Sequence, residues 1–202
     1  MNLNESQTKI NLMRAFAGES QARNRYTMAA EAAAQKNLPV IEAVFKFTAG
    51  QELEHAKIFY NFLKELAGQT IKIDGDYPVD VYDDVLKLLQ TAHHNEMDEF
   101  DPVYPDFAAV ANSEGFTQIG AKFKAIAEIE KTHAERFKLF AELMEQEKLF
   151  VSDVEEEWVC LNCGYVTKSS EAPKACPVCS HPQGYFIRIA LSPYTTNNGG
   201  KN

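Results

Sequence analysis

Apolar residues recur three or four positions apart through residues 5–147, a region rich in Ala, Leu, Glu, Lys and Gln. Residues at this spacing share one face of a helix, so the pattern predicts amphipathic helices built from strong helix formers. Residues 37–39, 68–79 and 112–115 interrupt the pattern with Gly, Pro, Asn or Asp. These breaks predict four helices of roughly 30 residues, each about 45 Å long.

The lengths of the connections predict how the helices are joined. The first and third breaks are short and favour antiparallel hairpins. The middle break, residues 68–79, can extend over roughly 40 Å and so can cross the full length of a bundle. Two hairpins joined by one long crossover are typical of ferritin-like bundles. We therefore predict an all-α ferritin-like four-helix bundle over residues 1–150, with the crossover between helices 2 and 3.

The composition changes after Val151, where Cys, Gly, Pro and aromatic residues replace the helix formers. An acidic stretch from Asp153 to Glu157 marks the change. We predict a second, small domain over residues 151–194. The remaining residues, 195–202, are mostly Thr, Asn and Gly and predict a disordered tail, because they offer little to a core.

The charge balance narrows the class of partner. The chain has 20 basic and 29 acidic residues, a net charge of −9, and no concentrated basic surface for phosphate groups. Nucleic acid is therefore not expected as a partner. The first 20 residues lack the continuous apolar run of a secretion signal, and no stretch approaches the length of a membrane span. The expected location is the cytoplasm, with no membrane partner.

The second and fourth predicted helices repeat one another. When Glu52 is set against Glu130, His55 falls on His133 and several apolar positions match as well. The apolar matches are Phe45 with Phe123, Ala49 with Ala127, Ala56 with Ala134, Phe59 with Phe137, and Phe62 with Phe140. Core packing explains shared Phe and Ala, but it gives no reason to repeat charged groups.

The repeated charged groups predict a metal centre. Each repeat carries Glu-x-x-His, and residues three apart on a helix can reach a common metal. The first and third helices supply Glu19 and Glu96. Glu19 and Glu52 each lie roughly 22 Å from the first hairpin turn, and the same count places Glu96 level with Glu130. One Glu from each of two helices and Glu-x-x-His from each of the others is the pattern of di-iron and di-manganese bundles.

The alternative is that these groups are exposed charges on solvated helix faces, which is the better interpretation of any single Glu-x-x-His. Here the acids lie on or beside apolar stripes, where unpaired carboxylates would be costly to bury. Paired cations would neutralise them. Oxygen and imidazole donors suit iron or manganese, although zinc is not excluded.

Several neighbouring residues extend the predicted site. Glu99 follows Glu96 by three and adds a fifth carboxylate on the same face. We predict that His93 lies on the helix surface and is not a ligand. Tyr26 and Tyr104 are candidate hydrogen-bond or proton donors, although buried tyrosines are also common in helical cores.

The four cysteines form two CxxC pairs, Cys160 with Cys163 and Cys176 with Cys179, separated by 12 residues. In a chain without a secretion signal this pattern favours metal binding over disulfides. Four thiolates bind zinc structurally or one iron for electron transfer. Zinc would be expected for this segment alone, but a neighbouring redox bundle favours iron.

The order of these motifs resembles the rubrerythrin family along nearly the whole chain. The resemblance rests on the segment from Ala15 to Ala22, on the Glu and His pairs, and on Trp158-x-Cys-x-x-Cys-Gly-Tyr165 followed by Cys176-Pro-x-Cys179. It implies that Glu52 and Glu130 bridge two irons, with Glu19 and Glu96 as terminal ligands. It also implies that Glu99 and His55 exchange at one iron with redox state. The paired histidines before Glu96 depart from the family pattern.

The resemblance further implies a function. A rubredoxin-like iron would feed electrons to the di-iron site, giving three irons per chain, and hydrogen peroxide would be reduced to water in oxidative-stress defence. An external rubredoxin or NADH-dependent reductase would return electrons to the rubredoxin-like iron. A homodimer would let one subunit's cysteine-bound iron serve the partner. The alternatives are a ferroxidase that handles iron, and a binding module whose cysteine end is a zinc ribbon.

Overall fold

The computed structural model describes residues 2–192 and shows a helical bundle followed by a small three-stranded sheet. The predicted fold class is confirmed. The helices are α1 (Gln7–Gln35), α2 (Pro39–Phe62), α3 (Val85–Asp98), α4 (Tyr104–Ser113) and α5 (Thr117–Glu145). The strands are β1 (Val151–Cys160), β2 (Val166–Glu171) and β3 (Phe186–Arg188). No helix within residues 2–192 is both long enough and apolar enough to cross a membrane.

Two tight turns form the hairpins where the sequence predicts them. Asn37 adopts a positive φ of 56° after α1, and Pro39 begins α2, where its fixed φ suits the first helical turn. Gly115 has a φ of 89° between α4 and α5, which only glycine adopts without strain. The hairpins therefore pair α1 with α2, and the third helical segment with α5.

The crossover between the hairpins is longer than predicted. Helix α2 ends at Phe62 and α3 begins only at Val85, after Asp84 accepts hydrogen bonds from the first N–H groups of that helix. Arg14 of α1 fastens the crossover to the bundle, because its guanidinium lies 2.5 Å from the carboxylate of Asp74.

The prediction of one continuous third helix is wrong. A π-helical segment, Glu99–Val103, separates α3 from α4, and Asp101 within it has an extended conformation. Pro102 is the physical reason, because it lacks an N–H and disfavours a helical residue before it. The segment lies beside the predicted metal site, and its first residue is Glu99.

The aromatic core is symmetric about the middle of the bundle. Phe45 packs against Phe137 with ring centroids 5.2 Å apart, and Phe59 packs against Phe123 at 4.8 Å. The sequence repeat relates one pair to the other, because it matches Phe45 with Phe123 and Phe59 with Phe137. All four rings are fully buried, so one aromatic layer lies on each side of the central acids.

The sheet has the order β2-β1-β3, with both pairings antiparallel. Its core contains Trp158, whose indole N–H donates to the Ser169 carbonyl at 2.9 Å. Val159 and Ile187 pack into the core at the end of the bundle. The boundary predicted at residue 150 lies between α5 and β1 and stays a prediction. The predicted tail, residues 195–202, lies outside the described residues.

Candidate metal centres

Six acid and imidazole side chains lie together at the middle of the bundle. Their exposure is at most 5%, a degree of burial that is rare for charged groups without a partner. They come from four different helices and meet at one level along the bundle, as the sequence predicts. The six residues are Glu19 of α1, Glu52 and His55 of α2, Glu96 of α3, and Glu130 and His133 of α5.

The six residues form two overlapping groups, in each of which the candidate ligand atoms lie within 4.8 Å of one another. Glu19 and His55 belong to one group, whereas Glu96 and His133 belong to the other. Glu52 and Glu130 belong to both.

The two shared acids each direct one oxygen toward each imidazole. The Nδ1 atom of His55 lies 3.1 Å from one oxygen of Glu52 and 2.9 Å from one of Glu130. The other oxygens of the same two acids lie 2.9 and 2.8 Å from Nδ1 of His133. This arrangement places both carboxylates between two centres, as bridging ligands would be placed.

The donor atoms fit a pair of cations. Both oxygens of Glu52 and of Glu130 are buried and have no hydrogen-bond partner among the described residues. The same holds for Nδ1 of His55 and of His133. Buried polar atoms without partners cost free energy, so such a cluster is explained when metals take the place of hydrogen bonds. Carboxylate oxygens with two imidazoles suit iron or manganese.

Without metal, the acids and histidines must share protons. Burial raises the pKa of Glu19 to about 8 and also raises the pKa of Glu96 and of Glu130. Burial alone would lower the pKa of the two histidines, but the negative carboxylates close to their rings raise it to about 10 for His55 and about 11 for His133. In the metal-free site both histidines are therefore protonated at neutral pH.

The two candidate tyrosines bond across the bundle to the terminal acids. Tyr26 of α1 donates to Glu96 of α3, and Tyr104 of α4 donates to Glu19 of α1 at 2.5 Å. Burial raises the pKa of both hydroxyls well above the ordinary value, so both stay protonated. Each tyrosine thus holds a proton next to one end of the site.

Glu99 lies beside the two groups and belongs to neither of them. It is half-buried at the start of the π-helical segment, where its Oε1 atom lies 3.7 Å from the position that a Cβ on Gly18 would occupy. Burial raises the pKa of Glu99 well above the ordinary range, and the charge of Arg25 opposes that rise. Its role as a ligand stays a prediction.

Sequence reasoning missed Arg25, whose Nε and Nη1 atoms are buried without a hydrogen-bond partner among the described residues. Its Nε lies 3.9 Å from Asp80 of the crossover, to which Asn95 also donates at 2.7 Å. The available signal was the spacing of Gly18, Ala22 and Arg25, which puts an arginine on the face of α1 that carries small residues.

The paired histidines before Glu96 are not members of either group. His93 is half-buried, and its Nδ1 lies 3.0 Å from the Ala134 carbonyl. His94 is exposed, with its Nε2 3.5 Å from Asp98. The expectation that His93 lies on the helix surface is thus only partly correct, because its ring packs against α5.

The four cysteines form a second candidate centre, with all four sulfurs within 4.8 Å of one another. The Sγ atoms of Cys160 and Cys179 are 3.7 Å apart, and those of Cys163 and Cys176 are 3.6 Å apart. A disulfide requires about 2.05 Å, whereas a tetrahedral metal with about 2.3 Å metal–sulfur bonds places sulfurs about 3.8 Å apart. The geometry therefore fits one metal.

The two CxxC segments have the same backbone shape. Gly164 donates to the Cys160 carbonyl at 2.8 Å, and Ser180 donates to the Cys176 carbonyl at 2.9 Å. Both of these residues follow the second cysteine of their pair and have a positive φ. The backbone N–H of His181 lowers the pKa of the Cys179 thiol to about 6, which favours the thiolate that a metal binds.

Comparison with known proteins finds matches to both parts of the chain. The Rubrerythrin family model matches residues 11–141, and the model for the rubredoxin-like domain of rubrerythrin matches residues 158–187. The chain is similar to a rubrerythrin of Clostridium perfringens, with 44% identity over 91% of this chain and 95% of the relative. It is similar to a rubrerythrin of Nitratidesulfovibrio vulgaris, with 37% identity over 94% of this chain and 98% of that one.

A solved structure of nigerythrin in a partially reduced state is also similar. Its TM-score is 0.61 at 28% identity, with 91% of this chain and 90% of that chain covered. The two family models together span the bundle and the cysteine-bearing sheet, and the relatives extend over most of the chain. This chain belongs to the rubrerythrin family.

Proposed function

We propose that this chain is a peroxidase that reduces hydrogen peroxide to water at a di-iron site. Rubrerythrins are di-iron oxidoreductases involved in oxidative-stress defence, and the proposal specifies the reaction. The observation that supports it best is the placement of Glu52 and Glu130, each with one oxygen toward each imidazole. Two metals held side by side suit a two-electron reaction.

The protein residues bind and protect the proposed metal pair. Glu52 and Glu130 would bridge it, Glu19 and His55 would hold one ion, and Glu96 and His133 the other. Glu99 lies where it could join the first group, beside Gly18. The Phe45–Phe137 and Phe59–Phe123 pairs exclude water from both sides of the site, which strengthens electrostatic interactions within it.

The tyrosines orient the terminal acids and hold protons. The Tyr104 hydroxyl donates to Glu19 and the Tyr26 hydroxyl donates to Glu96, so neither acid is free to rotate. Because both hydroxyls remain protonated, each can supply a hydrogen bond or a proton at its end of the site.

Reduction of one peroxide takes two electrons, which a reduced iron pair bound in the bundle would supply. An iron on the four cysteines would then return electrons to that pair one at a time. This gives three irons per chain. The expected partners are an external rubredoxin or NADH-dependent reductase and a second copy of the chain in a homodimer, and the expected location is the cytoplasm.

Rapid mixing of the fully reduced protein with peroxide tests the reaction. We expect hydrogen peroxide to oxidise the iron pair faster than dissolved oxygen does, and elemental analysis to find three irons per chain. Oxidation that is no faster with peroxide, together with turnover of added ferrous ion, would support a ferroxidase instead. One zinc per chain without iron would support a binding module.

The pKa values predict that metal uptake releases protons. At pH 7 His55 and His133 are both protonated in the metal-free chain, because their pKa values of about 10 and about 11 lie well above 7. Only neutral imidazole binds a metal, so each histidine must lose its proton. Uptake should therefore weaken as pH falls, by about tenfold per pH unit for each proton released.

Calorimetric titration with zinc in buffers of different ionisation enthalpy measures this release directly. We expect at least two protons per loaded bundle site at pH 7, one from each imidazole. Uptake without proton release, and with the same affinity at pH 6 and pH 8, would contradict the protonated metal-free site.

A further inference from the structure

A cavity of about 700 Å³ lies between the bundle and the crossover. Gly18, Glu99 and Tyr104 form part of its wall. Glu99 and Tyr104 both approach the candidate di-metal site, the former beside Gly18 and the latter through its hydrogen bond to Glu19. The cavity therefore reaches residues that border the candidate site.

The cavity is much larger than hydrogen peroxide requires. Two oxygen atoms occupy roughly 60 Å³, taken as twice the share of one water molecule in the liquid. A volume of about 700 Å³ lies instead within the range of about 300–1,000 Å³ that is usual for pockets binding small organic molecules. The size alone permits a substrate with an organic group.

The walls favour a neutral ligand with an apolar part. Ala15, Pro102, Val103 and Phe107 supply apolar surface. Five acids and two arginines supply the charges, which disfavour an anion: Asp74, Asp76, Asp98, Glu99 and Asp106, against Arg14 and Arg25. The Nε and Nη1 atoms of Arg25, which have no hydrogen-bond partner among the described residues, offer buried donors to a neutral oxygen group.

We infer that this cavity admits neutral organic hydroperoxides, so that the site reduces ROOH to ROH as well as hydrogen peroxide to water. The inference rests on the proposed peroxidase function. The O–O bond breaks, two electrons come from the reduced iron pair of that function, and two protons from water complete ROH and one H₂O. The apolar group R lies against Val103 and Phe107, and the hydroperoxide group points toward Glu99.

Cumene hydroperoxide tests the inference in rapid-mixing experiments on the iron-loaded chain. We expect it to oxidise the reduced protein, and a Val103→Phe substitution to narrow the cavity. The ratio of the cumene hydroperoxide rate to the hydrogen peroxide rate should then fall at least about tenfold, a usual size for steric discrimination by a pocket. Val110→Phe is the control, because Val110 is half-buried on α4, which directly follows Val103, but does not line the cavity.

A second measurement needs no redox chemistry. The product alcohol, 2-phenyl-2-propanol, should bind the zinc-loaded chain and shift the methyl resonances of Ala15 and Val103, and in Val103→Phe the shift of the Ala15 methyl resonance should be abolished. If hydrogen peroxide is reduced while cumene hydroperoxide is not and the alcohol causes no shifts, the inference is overturned and the proposed function stands. If neither peroxide is reduced although the alcohol binds, the proposed function fails and the substrate inference fails with it.

Discussion

Replacing Glu52 with alanine should remove both metals of the bundle and at least about 99% of peroxide turnover. Glu52 belongs to both ligand groups, with one oxygen 3.1 Å from His55 and the other 2.9 Å from His133. Its loss therefore takes a donor from each metal. Losing even a group that hydrogen-bonds to a metal ligand typically costs about 10–100-fold in metal affinity or activity. The loss of a ligand shared by two metals should therefore exceed that range.

Elemental analysis and steady-state turnover measure this effect together. We expect the variant to keep one iron per chain on the four cysteines and to retain its helical circular dichroism. Glu54→Ala is the matched control, because the side chain of Glu54 is 63% exposed and, within residues 2–192, forms an ion pair with Lys57 alone, at 2.6 Å. Normal iron content and activity in Glu52→Ala would refute the bridging role.

The ligand positions at mid-bundle could be predicted because local rules determine them. The helical period places each Glu within reach of the His three residues on, and the tight turns fix how far each acid lies from its hairpin. Glu19 and Glu96 therefore meet Glu52 and Glu130 at one level, as their sequence positions indicate. The roles of these residues as ligands remain predictions.

The position of Glu99 could not be obtained in the same way. Glu99 follows Glu96 by three residues of helical backbone, but the π-helical segment begins there, and Glu99 lines the cavity and belongs to neither ligand group. Pro102 was a visible signal of this break. The size of the local rearrangement, however, depends on the packing of α4 against α5, which helical periodicity does not describe.

The partners of the tyrosines also depend on tertiary packing. Tyr26 lies two turns beyond Glu19 on α1, yet it donates to Glu96 on another helix. Tyr104 in turn donates to Glu19. The two hairpins are related by a pseudo-twofold arrangement, so the tyrosine of each hairpin donates to an acid of the other hairpin. Sequence spacing places a side chain on a face but does not say which neighbour that face meets.

Replacing Cys176 with alanine should stop turnover driven by NADH while leaving single-turnover oxidation by peroxide intact. The bundle site does not include any cysteine, so chemically reduced protein should still react once. Repeated turnover needs the proposed electron path through the cysteine-bound iron, so its rate should fall to the background of the assay. Ser170→Ala is the control, because Ser170 is exposed on β2 in the same sheet.

The same substitution should unfold the small sheet, since so short a segment depends on its metal. Domains below about 40 residues usually need a metal or a disulfide, and binding of a structural metal by thiolates stabilises such folds by about 10–16 kcal/mol. Trp158 is the chain's single tryptophan, and it lies fully buried in the same cluster as Cys176. Its fluorescence should therefore show the sheet of the variant unfolding at a lower temperature than in the unsubstituted chain, while the helical circular dichroism signal persists. If the fluorescence and the helical signal instead changed together, at the unfolding temperature of the unsubstituted chain, the sheet would be stable without its metal.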